Sequence, residues 1–575
     1  MTAARKDSGA KTPAPAGPPA AGPGPRRRWV LLGVVLVLST GFVAGAFVPA
    51  PHTGGDNAAY LTLGYSLAHD GSYTELFDPA RPPHTKYPPV FPALLALLML
   101  GGARTWTAFK MVAVLSTVAG VALAYLWAER RVGAARAAAV ALLLAAASSV
   151  VYYSHWILSD PTFAAFTLLS LWALERSDEE GAGRGWLPLG VAAAALAYFT
   201  RSAGLPLVVA LLAWLALRKR WRALAASAVA LGLPMALWLL RARGAGQGEY
   251  VSEFWLVDPY DPSLGRVGLP GLVRRVGENL VGYVATHVPG GMVGAGGGGP
   301  RAVLGLALVA LALAGWGLAA RRRVGPAELF LPLYGGLVLL WPTVWSGDRF
   351  VLPLYPLLFL YAAEAVRGGG ARWGGAAAGW AGGALFLVAF LPSLGAWVGS
   401  VQAASACSAA VRERGPFACY GPGVTAYVEA AGWAGANLPE GSVVLTRKPR
   451  VFYVLSGVPS RTFPFSDDPE AHLTLAGEVG ARYELFDQWD GLAGRYVAGA
   501  VGARPGAFCA ARSFGADGST VLLGILPPAE REGGAATGDQ VRIGVCGGGY
   551  VAGDGNAPYA SSSSTRIPLL DGLDP

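Results

Sequence analysis

Charged side chains interrupt the apolar stretches of this sequence at a few places, and the first of them is Asp56. It lies just before a segment in which Ala58, Leu61, Tyr65 and Ala68 repeat with helical spacing. A carboxylate within hydrogen-bond reach of a hydroxyl can accept its proton, so Asp56 is a candidate general base. Asp is also a preferred residue at a helix N-cap, and this structural role is the alternative interpretation.

Basic residues that could hold a phosphate follow along the chain. Lys86 lies in the proline-rich segment 81–93. Because proline disrupts a regular helix, this segment is predicted to be re-entrant or interfacial rather than a membrane-crossing helix. Arg349 and Arg201 offer guanidinium groups that match phosphate geometry, and Lys110 ranks after them. The alternatives are a snorkelling side chain or, for Arg349, an ion pair with the adjacent Asp348.

Composition decides the class of protein that carries these residues. Of the 575 residues, 53% are hydrophobic and only 14% are charged, whereas soluble domains carry about 25% charged residues. This deficit argues against an ordinary cytosolic enzyme, a disordered protein or a nucleic-acid binder, despite the net charge of +9. The sequence predicts a polytopic α-helical membrane protein. About eleven transmembrane helices are expected, near 29–50, 108–127, 137–153, 162–174, 186–199, 203–217, 223–240, 302–320, 327–341, 350–366 and 375–398.

Arginine clusters beside these spans predict the orientation. Basic residues at 26–28, 130–136, 218–222, 321–323 and 367–372 all fall on one side, which the positive-inside rule assigns to the cytoplasm. Residues 1–28 then form a disordered cytoplasmic tail, and residues 29–398 form the transmembrane domain. Its extracytoplasmic loops are 51–107, 154–160 and 241–300. This organisation predicts a multi-pass protein of the bacterial plasma membrane, with a cytoplasmic N-terminus and an extracytoplasmic C-terminus.

Residues 399–575 are predicted to form a small extracytoplasmic α/β domain. Strands are expected at 442–447 and 521–525, with a helix between them at 449–455. All four cysteines lie in this tail, as expected for disulfides outside the cytosol. Three pairings are possible, and sequence proximity favours Cys407–Cys419 and Cys509–Cys546.

The loop motifs carry a family resemblance. G-G-D-N-A-A-Y-L at 54–61, followed by K-Y-P-P-V-F-P at 86–92, resembles the first extracytoplasmic loop of GT-C membrane glycosyltransferases. The sequence is most similar to their family 39-type and aminoarabinose-transferase branch, cousins of the protein O-mannosyltransferases. L-S-D-P-T-F at 158–163, T-R-S-A-G at 200–204 and G-D-R-F-V-L-P-L-Y-P at 347–356 extend the match.

The resemblance implies an enzyme that transfers a sugar from a polyprenyl-phosphate donor to an extracytoplasmic acceptor: a cell-envelope lipid, glycan or protein. It places Asp56 at the catalytic position, with inversion at the anomeric carbon, and Lys86 at the position that holds the donor phosphate. This chain departs from the aminoarabinose-transferase pattern, because it has no Glu before Lys86 and has Tyr87 inserted before the two prolines.

The same branch implies a metal site, although no cofactor is required by the sequence. Asp160 fits the acidic position of the second loop, and His84 or His155 could replace the missing Glu as a ligand for a divalent ion such as Zn, Mg or Mn. The competing interpretation of Asp160 is a helix N-cap before Pro161.

Two other classes of function fit the composition. A flippase or transporter of lipid-linked sugars would use the charged residues to line a pathway, although no internal repeat relates the two halves. A non-catalytic cell-envelope assembly protein would use the tail to bind partners, and it would not need Asp56 or Lys86.

Overall fold

The computed structural model describes residues 25–244, 249–294, 299–373, 375–531, 543–552 and 567–573. Residues 1–24, most of the predicted disordered tail, lie outside this part of the chain. α-Helices of 6 to 40 residues dominate the described part of the first 414 residues. They are α1 (Pro25–Gly45), α2 (Gly55–His69), α3 (Val90–Leu100), α4 (Trp106–Val132), α5 (Ala134–Ala146), α6 (Ser148–Tyr153), α7 (Asp160–Arg176), α8 (Trp186–Thr200), α9 (Leu205–Leu217), α10 (Trp221–Gly244), α11 (Glu249–Phe254), α12 (Leu269–Gly282), α13 (Val288–Val293), α14 (Pro300–Arg322), α15 (Pro326–Leu340), α16 (Tyr355–Trp373) and α17 (Gly375–Arg414).

Each of the eleven predicted spans contains a helix. Among the described residues, five helices are long and apolar enough to cross a bilayer by length and composition, namely α1, α4, α10, α14 and α17. Shorter apolar helices account for most of the others, and the predicted span 137–153 is divided at Ala147 into α5 and α6. Hydropathy therefore locates the helices correctly, but it does not detect where a helix is broken.

Local sequence explains where the helices that flank the site begin. The hydroxyl of Thr105 accepts a hydrogen bond from the Ala108 amide and starts α4. Helix α2 has Gly54 as its N-cap, so Asp56 lies inside the first turn. Helix α7 begins at Asp160 with Ser159 as its N-cap. The N-cap interpretation is therefore wrong for both Asp56 and Asp160, and their carboxylates face other partners.

Helices α2 and α3, which are joined by residues 70–89, pack against each other. Gly64 of α2 lies so close to α3 that a Cβ at this position would be 3.2 Å from the Pro92 carbonyl oxygen. With 11 residues, α3 is too short to cross a bilayer, and Leu97 and Leu100 are exposed. These features agree with the prediction that this proline-rich segment is re-entrant or interfacial.

The helix α17 continues past residue 399, where the tail was expected to begin, and ends only at Arg414. Beyond it lie α18 (Pro422–Asn437), α19 (Pro449–Ser456), α20 (Pro469–Val479) and α21 (Leu492–Ala503). The strands are β1 (Val444–Leu445), β2 (Ser460–Arg461), β3 (Tyr483–Phe486), β4 (Phe508–Phe514), β5 (Thr520–Ile525) and β6 (Gly544–Val545).

One mixed sheet organises the tail domain, with strand order β2-β1-β3-β5-β4-β6. Strands β2, β1 and β3 are parallel, β5 is antiparallel to both of its neighbours, and β6 is parallel to β4. The predicted α/β domain is confirmed. So are the favoured disulfides, since Cys407 pairs with Cys419 and Cys509 with Cys546, at Cα separations of 5.2 and 4.9 Å.

Candidate active site

Asp56 is held between two side chains from distant parts of the sequence. Its Oδ2 forms a 2.7 Å ion pair with Nη1 of Arg349, and its Oδ1 accepts a 2.7 Å hydrogen bond from the hydroxyl of Tyr87. Burial alone raises the pKa of Asp56, but the charge of Arg349 and the hydrogen bond from Tyr87 outweigh it and hold the pKa well below its usual range. The Asp56 carboxylate is therefore ionised and fixed in orientation.

Arg349 also joins Asp56 to Asp160. Its Nε donates to Oδ2 of Asp160 at 2.8 Å, and Nη1 of Arg201 donates to the same oxygen at 2.8 Å. Asp160 is buried between these two guanidinium groups. The adjacent Asp348 accepts hydrogen bonds from Ser149 and Tyr153, so the predicted pairing of Arg349 with its neighbour is replaced by this longer-range network.

A mostly apolar cavity of about 200 Å³ opens beside this network. Arg201 and Tyr87 lie at its polar wall, whereas α15 contributes apolar and aromatic side chains, and Trp341 follows it. Tyr60 also lines the cavity and hydrogen-bonds Ser159 at 2.7 Å; burial raises the pKa of Tyr60 to about 12, so its hydroxyl stays protonated. A cavity of this kind suits a molecule with an anionic head and an apolar chain.

Lys86 lies on the same loop as Tyr87 but has a different partner. Its Nζ donates to both carboxylate oxygens of Glu253, at 2.7 and 2.8 Å, and lies 5.7 Å from the ring centroid of Trp345. Glu253 belongs to α11, in the predicted third loop. The structure thus brings Arg349, Arg201 and Asp56 into one network and ties Lys86 to a neighbouring carboxylate.

The residues named as metal ligands do not suit a metal. His84 is buried, its Nδ1 bonds Glu75 at 2.7 Å, and its Nε2 accepts the backbone N–H of Tyr87 at 2.7 Å. Both ring nitrogens are therefore in use, and Asp160 is already neutralised by two arginines. Within the described ranges, no cluster of three or more His, Cys, Asp or Glu side chains could hold an ion.

Several residues of the site were not identified from the sequence. Tyr87 stands out there only as an insertion in the motif, yet it contacts Asp56 directly, so the departure from the family pattern was itself the signal. Glu253 lies in a segment without a recognisable motif. Lys448 of the tail also interacts with the site: burial and the charge of Arg447 lower its pKa, and the charges of Asp490, Asp487 and, to a smaller extent, Asp56 oppose this effect.

Comparisons with known proteins agree with this architecture. Residues 86–242 match the family described as dolichyl-phosphate-mannose-protein mannosyltransferase. Among curated proteins, no significant match is found. The structure is similar to that of ArnT from Cupriavidus metallidurans bound to undecaprenyl phosphate, with a TM-score of 0.54 and 15% identity, covering 87% of this chain and 98% of that one. The apo structure of ArnT gives a TM-score of 0.53, also at 15% identity, with coverage of 86% and 97%.

A second protein of similar structure comes from an archaeon. It is the oligosaccharyltransferase AglB from Archaeoglobus fulgidus, in complex with an inhibitory peptide and a dolichol-phosphate. The TM-score is 0.51 at 14% identity, and the match covers 86% of this chain and 74% of that one. Both relatives carry the fold predicted from the loop motifs. The chain is therefore a polytopic membrane protein of the GT-C fold, with a small α/β domain at its C-terminal end.

Proposed function

We propose that this chain is a glycosyltransferase that moves a sugar from a polyprenyl-phosphate donor to an acceptor hydroxyl on the extracytoplasmic face of a bacterial plasma membrane. The observation that carries the proposal is the network in which Arg349 pairs with both Asp56 and Asp160, while Arg201 pairs with Asp160 and lines the adjacent apolar cavity. The ArnT and AglB structures with undecaprenyl phosphate and dolichol-phosphate support the donor class. The acceptor is a lipid, glycan or protein of the cell envelope.

In the proposed reaction, Asp56 acts as the general base. The acceptor oxygen attacks the anomeric carbon opposite the phosphate, which inverts that centre. The new carbon–oxygen bond forms as the bond between the anomeric carbon and the phosphate oxygen breaks. The electron pair of the broken bond leaves with the polyprenyl phosphate. The acceptor proton passes to Asp56. A low pKa does not prevent this role, because the hydroxyl becomes strongly acidic as its oxygen bonds to carbon.

In the proposed reaction, Arg349 and Arg201 stabilise the departing phosphate. A guanidinium has five N–H donors, and the contacts of Arg349 with Asp56 and Asp160 use two of them. In the proposed complex, a phosphate bonded to Arg349 competes with Asp56 for the charge of this guanidinium, and this competition raises the basicity of Asp56 when the donor is bound. Preorganised cations of this kind contribute several kcal/mol to transition-state stabilisation, about 3–4 kcal/mol for one donor.

The test is a release assay on purified full-length protein in lipid. Wild type and Asp56→Asn are incubated with a panel of polyprenyl-phosphate sugars and envelope acceptors, and free polyprenyl phosphate is followed by mass spectrometry. We expect Asp56→Asn to lower release by about 10²–10⁴-fold, as for loss of a general base. Asp70→Asn, at the exposed end of the same helix α2, is the matched control and should keep wild-type release. Full activity in Asp56→Asn would refute the role of Asp56.

A further inference from the structure

A continuous chain of contacts runs from the tail domain to Asp56. Arg450, in the first turn of α19, donates through Nη2 to Oε1 of Glu75 at 2.9 Å. The same oxygen bonds Nδ1 of His84 at 2.7 Å. Nε2 of His84 accepts the backbone N–H of Tyr87 at 2.7 Å, and the Tyr87 hydroxyl donates to Oδ1 of Asp56. Four side chains therefore connect the tail to the candidate base.

The side chains in the middle of this series of contacts are buried, and their protonation states follow from their hydrogen bonds. His84 and Tyr87 are 1% and 8% exposed, and their rings stack at a centroid distance of 5.2 Å. Because Nε2 of His84 accepts a hydrogen bond, Nδ1 carries the proton and donates it to Glu75. Burial raises the pKa of Glu75, but Arg450 and His84 outweigh this and lower it to about 2. Glu75 is therefore ionised, as its contacts with Arg450 and His84 require.

The tail holds this loop at a second point, Asp78, whose described side-chain contacts do not continue to His84, Tyr87 or Asp56. Arg461 of β2 forms an ion pair with Asp78, and the backbone N–H of the adjacent Ser460 donates to the Phe77 carbonyl oxygen at 2.7 Å. Arg450 and Arg461 thus both tie the tail to the first loop, through acidic residues three positions apart. The contacts of Glu75 continue to His84 and Tyr87, whereas Asp78 accepts the backbone N–H of Ala80 within the loop.

We propose that Arg450, Glu75 and His84 are positioning residues that fix the Tyr87 hydroxyl against Asp56, so that the docked tail domain completes the active site. The proposal rests on the function proposed for Asp56. With Oδ1 held by Tyr87 and Oδ2 by Arg349, the carboxylate has one orientation relative to the cavity. Catalysis is sensitive to such orientation, because a misplacement of about 1 Å can lower a rate about 100-fold.

The first experiment observes Tyr87 directly and needs no substrate. 3-Fluorotyrosine is incorporated at position 87 of the full-length protein, and its ¹⁹F resonance is recorded in detergent micelles. We expect Arg450→Ala and Glu75→Gln to move the resonance towards that of the Asp56→Asn protein. Arg461→Ala, the matched control, should leave it unchanged, and Arg450→Lys should restore it in part. Near-ultraviolet circular dichroism and disulfide content establish that each variant is folded.

The second experiment separates this proposal from the proposed function. In the polyprenyl-phosphate release assay, Arg450→Ala should lower kcat at least tenfold with the donor KM within twofold of wild type, and Arg461→Ala should change neither. An unmoved resonance in Arg450→Ala, or an equal shift in Arg461→Ala, would overturn the positioning chain. If the resonances behave as expected but wild type releases no carrier from any donor, the positioning chain stands and the proposed function fails.

Discussion

Arg349 and Asp56 form a 2.7 Å ion pair across 293 residues of sequence. The pair joins the short turn before α16 to the first turn of α2, and Arg349 extends it to Asp160 at the start of α7. Three separate segments therefore meet at one guanidinium. This arrangement keeps the candidate base ionised. In the proposed reaction, the same guanidinium also stabilises the donor phosphate.

Removing Arg349 should change the pH dependence of the proposed reaction as well as its rate. Arg349→Ala removes the main force that lowers the pKa of Asp56, while the burial that raises it remains. We expect wild-type release to stay constant from pH 7 down to about 5, since Asp56 remains ionised. Release by Arg349→Ala should be about 10²–10³-fold slower than release by wild type. This residual activity should decrease further as the pH falls over the same range, because Asp56 with a raised pKa becomes protonated.

The measurement is a pH–rate profile for kcat/KM, which reports the pKa values of the free enzyme. Arg274→Ala is the control, because Arg274 is exposed on α12 and pairs with Glu278 one turn along the same helix. A profile for Arg349→Ala that is parallel to that of wild type would show that Arg349 does not set the protonation of Asp56.

The Lys86–Glu253 pair should compete with donor binding. If Lys86 leaves Glu253 to reach the donor phosphate, Glu253→Gln weakens the competing contact and should lower the donor KM severalfold. Lys86→Ala should raise it about tenfold, equivalent to about 1.4 kcal/mol. Glu278→Gln, in the exposed pair with Arg274, is the matched control. If Glu253→Gln raises the KM as much as Lys86→Ala does, Glu253 positions Lys86 rather than competing for it.

The sequence predicted the helices better than it predicted the site. Apolar runs of sufficient length located a helix in every expected span, because burial in lipid requires a continuous apolar segment. The motifs identified Asp56, Arg201, Arg349 and Asp160 as candidates, but their contacts depend on how three loops fold together.

Periodicity contains no information on such long-range contacts. His84 shows this limit: a histidine in a polar loop fits a metal ligand by residue type, yet in the structure it connects Glu75 to Tyr87. The partner of Lys86 was missed for the same reason, since Glu253 lies 167 residues away in the sequence.

The two disulfides should stabilise the protein unequally. Cys509–Cys546 spans 37 residues and Cys407–Cys419 spans 12. In the chain-entropy model the longer loop contributes about 1 kcal/mol more. We expect replacement of both Cys509 and Cys546 by Ser to lower the unfolding temperature of the tail more than replacement of both Cys407 and Cys419 does. Calorimetry measures this difference, and alkylation with mass spectrometry verifies that the remaining bridge is formed. An equal decrease in unfolding temperature would show that loop length does not control the effect.

A buried histidine in the tail domain should make its stability depend on pH. His472 is fully buried, with Nδ1 at 2.7 Å from Oε1 of Glu484 and Nε2 at 2.8 Å from the Ser466 carbonyl oxygen. Burial lowers the pKa of His472, but the hydrogen bond and charge of Glu484 outweigh it, so the pKa is raised. A raised pKa means that the folded tail binds a proton more tightly than the unfolded chain does.

The stabilisation is therefore complete below about pH 6.5, the unfolded value, and is lost as the pH rises through the folded pKa. A tenfold difference in proton affinity between the folded and unfolded chains corresponds to about 1.4 kcal/mol of stability. Burial raises the pKa of Asp487 to about 6. Deprotonation of Asp487 therefore also lowers the stability of the tail as the pH rises, but only below neutral pH. The full-length protein is unfolded in urea at pH values between 7 and 9, and unfolding of the tail is monitored by its susceptibility to proteolysis. The free energy of unfolding of the tail should decrease with pH in wild type and decrease less in His472→Gln. Equal slopes for the two proteins would mean that His472 is neutral in the folded tail, and that its contact with Glu484 is an ordinary hydrogen bond.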